Sequence, residues 1–96
     1  MAQSTILAAG VTAATSTDID INNSQTVNVG IFGADGARLP RNVSFLIVMD
    51  TPDAPIPIAQ IGLMSPVINL SGPGTFRVIR PAYTGAAFGV FLDGHG

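Results

Sequence analysis

Proton transfer near neutral pH needs a group that titrates there, and this sequence holds one histidine, His95. It is second from the end of the sequence, where chains usually fray, and reads as a charged tail residue. Serines are present, but no lysine or second histidine stands in the body of the chain to activate one as a nucleophile. Cysteine is absent, so neither a disulfide framework nor a thiolate metal site can form. Asp18-x-Asp20 places two carboxylates on one face of a strand, about 7 Å apart, and Asp35 or Asp93 could join them. Calcium takes six to eight oxygens, roughly, and no calcium loop pattern occurs, so the pair reads as a solvated strand face. "GADG" and "SGPG" are glycine-rich, but neither leads from a strand into a helix with a following lysine, which excludes a phosphate loop. The sequence is therefore read as non-enzymatic, with no catalytic, cofactor or metal residue assigned.

The arginines hold more promise. All four cations are arginine: Arg38 and Arg41 around Leu39-Pro40, and Arg77 and Arg80 near the C-terminus. A planar guanidinium with five donors suits carboxylates and backbone carbonyls at an interface. For Arg77, an intramolecular pair with an aspartate on a neighbouring strand is the competing reading. Tyr83 is the only tyrosine and tryptophan is absent. A sugar platform would have to be built on Tyr83 with Arg77 or Asp93, and a glycan-binding adhesion module is kept as an alternative on that ground. Arg38, Arg41, Arg77, Arg80 and Tyr83 are the candidate partner-interface residues.

These side chains must be positioned by strands. "TDIDI" (17–21) alternates, with Ile19 and Ile21 on one side and the aspartates on the other. "QTVNVGIFG" (25–33) alternates again, and 34–42 is a loop with an Asp35-Gly36 turn. "VSFLIVMD" (43–50) is apolar on both faces, as a strand covered on both sides would be. "TPDAPIP" (51–57) is too proline-rich for a central strand or a helix. Strands are expected over 58–64, 67–71, 75–81 and 87–93, with a turn at Gly72-Pro73-Gly74 made by proline's fixed φ and by glycines free to take positive φ. On 75–81, Phe76 and Val78 share a face, and Arg77 and Arg80 point to opposite faces because they are three apart. Residues 1–16 read as an extended arm or a first edge strand, and 17–96 as one antiparallel all-β sandwich, Ig-like or jelly-roll-like, of about six to eight strands. A faint echo links "VGIFGADG" (29–36) to "FGVFLDG" (88–94).

Composition points to partners. Charged residues are 10% of the 96 residues, where about 25% is usual. All six anions are aspartate, and both lysine and glutamate are absent; these two are among the residues depleted at protein contacts. Hydrophobic residues reach 47%, yet no run approaches the ~20 needed for a membrane span. Net charge is −2, which argues against nucleic-acid binding through a basic patch. "MAQSTILAAGVTAATSTD" lacks the positive start of a signal peptide and reads as mature protein. A small, apolar, weakly charged domain hides its surplus surface most economically against other chains.

"TILAAGVTAATSTDIDI" running into "QTVNVGIF", the loop "RLPRNV" and the closing "SGPGTFRVIRPA…GVFLDG" together resemble small β-sandwich structural proteins of tailed bacteriophages. The C-terminal stretch carries the more specific part: Gly72, Pro73, Gly74, Phe76, Arg77, Arg80, Pro81, Gly89, Val90, Phe91, Asp93 and Gly94. The resemblance implies a virion component. Within that class it implies a capsid decoration (cement) protein that forms homo-oligomers, a trimer by preference, and binds the major capsid protein with residues 1–16 as an arm. A tail, baseplate or head-fibre subunit is the alternative.

Overall fold

A computed structural model describes residues 3–22, 25–33, 37–41 and 43–95, with the side chains of Gly94 and His95 left aside. Nine strands run through the described residues: β1 (Gln3–Gly10), β2 (Ala14–Thr15), β3 (Ile19–Ile21), β4 (Thr26–Gly33), β5 (Ser44–Met49), β6 (Ile56–Gly62), β7 (Val67–Ser71), β8 (Gly74–Arg80) and β9 (Phe88–His95). No helix occurs among the described residues. The strands form two antiparallel sheets, a first in the order β1-β9-β4-β7 and a second in the order β2-β8-β5-β6, with β3 also on β8. The architecture is the β-sandwich expected from the short alternating segments.

Period-two patterning decides which residues meet between the sheets. Ile19 and Ile21 (β3), Val29 (β4), Phe45 and Ile47 (β5), Ile61 (β6), Leu70 (β7), Phe76 and Val78 (β8), and Phe88 and Val90 (β9) are buried in one cluster. Each such side chain contributes about 1.5–3 kcal/mol by leaving water. Gln3–Gly10 is not an arm held away from the domain: it pairs with β9 from Gln3↔Asp93 to Gly10↔Phe88 as an edge strand. The chain then crosses to the second sheet, where β2 and β3 pair successive parts of β8.

Three local readings shift. β5 does lie inside its sheet, between β8 and β6, but no second layer covers its outer face. Leu46 is half-buried there, and Val48 is buried beside its register neighbours Arg77 and Pro57. β6 starts at Ile56, two residues earlier than the pattern suggests, and includes Pro57. An edge strand tolerates proline because one side of its backbone needs no partner; a register shift marks the same place. The 72–74 turn contains a cis Gly72-Pro73 peptide, and the positive-φ glycine among the described residues is Gly85 instead. The echo between 29–36 and 88–94 also acquires a cause: β4 and β9 are paired, with Gly30↔Phe91 and Phe32↔Gly89 in register. A Cβ on Gly30 would strike the Phe91 ring, so each strand's glycine leaves room for the other's phenylalanine. The Asp35-Gly36 turn lies outside the described residues.

Candidate interaction surfaces

β8 divides its two arginines between opposite sides of the second sheet. Inward positions are Phe76, Val78 and Arg80; outward positions are Arg77 and Ile79. Arg77 faces out over the register neighbour Val48. Its guanidinium engages both carboxylate oxygens of Asp50, with Nη1 3.2 Å from Oδ2 and Nη2 on Oδ1, and Nη1 also donates to Asp18 Oδ1 at 3.2 Å. Asp50 follows β5 and Asp18 precedes β3, so one cation ties together two of the three strands that flank β8, one from each side. The hydrogen bond to Asp50, then that to Asp18, pushes Arg77 above the ordinary arginine value and holds it as a cation. Next to this group Thr75 Oγ1 donates to Asp20 Oδ1 at 2.8 Å.

The intramolecular reading of Arg77 is thus realised. Asp18 and Asp20 each give one oxygen, to Arg77 and Thr75, while Asp93 lies on the first sheet opposite Asn28. No group of three or more metal-ligating side chains stands together among the described residues. Asp35 lies outside the described residues.

Arg80 corrects the interface assignment. It is 4% exposed and points into the end of the sandwich beneath β1. Nε donates to Thr12 O at 2.7 Å, and Nη1 to Ala8 O at 2.8 Å and Phe88 O at 2.9 Å. A buried cation is tolerated when its donors are met, and here carbonyls meet three of the five. A Cβ on Gly10 would lie 2.9 Å from Arg80 Nη2, so glycine is what lets the guanidinium lie against β1. Arg80 therefore ties β1 and β9 to β8, and so joins the two sheets.

Tyr83 belongs to the same end. Its hydroxyl donates to Gly10 O at 2.9 Å and its N–H to Val11 O at 3.0 Å. The ring tilts against Phe88 with centroids 6.2 Å apart. Burial is the main cause that raises its phenol above the ordinary value. The proposed sugar platform is not assembled: Tyr83 caps β1, Arg77 lies on the outer face of the second sheet, and Asp93 is on the first sheet. Ser16, which the sequence reading did not single out, is buried at this end. It accepts from Val78 N–H through Oγ while its own N–H donates to Val78 O.

Arg38 and Arg41 remain exposed on either side of buried Leu39 and make no ion pair among the described residues. Arg38 borders an open groove of about 290 Å³ with Ile31, Leu39, Leu63 and Phe88; Arg41 borders a second one near Met64. Among the described residues the large apolar side chains left in the open are Ile56, Ile58, Met64, Val67 and Ile79, with Met64 86% exposed. The backbone of His95 closes β9 opposite Thr26. Among the described residues no helix is long and apolar enough to cross a membrane. No protein-family model, curated protein or solved structure matches the chain.

Proposed function

We propose that this chain is a non-catalytic structural binding module of a tailed-bacteriophage virion, a capsid decoration protein that associates with copies of itself and with the major capsid protein. The observation that carries the reading is the placement of uncovered apolar surface. Ile56, Ile58, Met64 and Val67 are exposed along one stretch of chain, and residues 54–76 contain no charge to keep that stretch hydrated. Exposed apolar area of this kind marks interaction surfaces. On the outer face of the second sheet, Leu46 and Ile79 stand as register partners beside the Arg77 ion pairs, an apolar centre with a polar border of the sort that contacts use. Exposed Arg38 and Arg41 are the cations left for an acidic partner.

The test is solution mass followed by mixing with purified capsid shells of candidate tailed phages. The expected result is an oligomer that sediments with shells, and loss of that addition when Arg38 and Arg41 are both changed to Ala. A chain that adds to no shell but sediments with tails or baseplates transfers the proposal to the tail alternative. A chain that sediments with neither overturns it.

A further inference from the structure

A sandwich with open sheets has edges, and an edge strand offers unpaired N–H and C=O groups to any other chain unless something blocks it. Three of the four edges here are blocked. At β1, the carbonyls of Ile6, Ala8 and Gly10 already accept from the Thr17 N–H, the Arg80 guanidinium and the Tyr83 hydroxyl. The β2/β3 edge is broken into pieces of two and three residues and bordered by Asp18 and Asp20. β6 carries Pro57 and a register shift.

β7 has no such device. It pairs with β4 in unbroken register from Val67↔Gly30 to Ser71↔Thr26. Ile31 N–H donates to Pro66 O and Gly72 N–H to Gln25 O. By the alternation of an antiparallel ladder, Ile68 and Leu70 then bond toward β4, and the backbone groups of Val67, Asn69 and Ser71 point away from the sheet. All three residues are exposed and uncharged, and no partner bonds these backbone groups among the described residues.

We infer that β7 is an assembly edge, pairing antiparallel with β7 of a second copy about a two-fold axis at Asn69 to give an eight-stranded sheet. The inference rests on the proposed self-association and names its surface, with a two-fold pair in place of the trimer that the resemblance implies. The edge is self-complementary: Asn69 meets Asn69, Val67 meets Ser71, and three residues per copy supply about six backbone hydrogen bonds. The strand itself brings no charge to the seam, because residues 54–76 are uncharged. Exposed Val67 and Met64 lie on and next to the edge and would be covered with it.

Sedimentation velocity over a dilution series, with amide exchange at residues 67, 69 and 71, tests this. The wild type is expected to be a dimer, or a multiple of one, with those three N–H groups protected in proportion to concentration. Asn69→Lys sets two ammonium groups face to face at the axis and is expected to halve the mass while circular dichroism stays unchanged. Ser71→Lys, further from the axis, is expected to weaken association less, and serves as the second probe should Asn69→Lys disturb the fold. An unchanged mass in both variants, fast exchange of the three amides at every concentration, or protection that appears only when shells are added overturns the inference. Shell binding that survives in a monomeric wild type sinks this pairing alone. A dimer split by Asn69→Lys that binds no virion part leaves the pairing standing and sinks the functional proposal.

Discussion

The end of the sandwich around Arg80 and the outer face around Arg77 use the same side chain, three residues apart, for opposite purposes. Arg80 is enclosed, and three of its five donors are met by carbonyls from residues 8 and 12 and from β9. Out of water an unmet polar group costs far more than a met one contributes, so this arrangement holds together the segments that supply those carbonyls. Arg77 keeps a quarter of its side chain in solvent, and both its aspartates are more exposed still. Water competes for each of its bonds, so the ion pairs orient a surface without holding up the fold. One region is architecture and the other is solvated surface.

Substitutions can break that contrast, and the largest effect is expected from Arg80→Ala. Removing the guanidinium leaves the carbonyls of Ala8, Thr12 and Phe88 without a donor, and a loss of about 3–5 kcal/mol in urea unfolding is expected. Arg77→Ala in the same experiment is expected to move the unfolding midpoint little, by an amount that shrinks as salt is added. Equal losses at the two sites would erase the distinction drawn here.

Gly10→Ala is next, because its new methyl meets a guanidinium that cannot swing aside without giving up its carbonyls. A destabilisation of about 1–3 kcal/mol is expected, and the double variant with Arg80→Ala should cost less than the sum of the two. Additive losses would show that Gly10 and Arg80 do not press on each other.

Tyr83→Phe has the smallest expected effect on this end, about 1 kcal/mol from the lost bond to Gly10 O. It also sharpens the comparison through pH. The folded phenol titrates above its ordinary value, so folding favours the protonated form. That contribution is complete below about pH 10 and fades as pH climbs through the raised value. Wild-type stability should therefore fall on the alkaline side where Tyr83→Phe stays flat, as followed by thermal melts from pH 8 upward. A fall of the same size in both proteins would remove Tyr83 as its source.

Much of this was legible in the residues. Alternation in 17–21, 25–33 and 75–81 named the inward side chains, and Val67–Ser71 is the predicted strand residue for residue. The same alternation bears on Arg80: it shares parity with Phe76 and Val78, which implies an inward strand position. What could not be read was its means of survival there, since the accepting carbonyls sit about seventy residues earlier, at Ala8 and Thr12, and on β9. Asp50 as the partner of Arg77 was equally hidden, because it depends on β5 lying beside β8.

Local chemistry along the chain thus determined that this is a small all-β domain with too few charges to cover its exterior, because side-chain period and composition act residue by residue. The tertiary structure decided which arginine is enclosed and which is solvated, and which edge is left open. Those outcomes depend on strand neighbours far apart in sequence, and a carbonyl or a free N–H carries no mark in the residue that bears it.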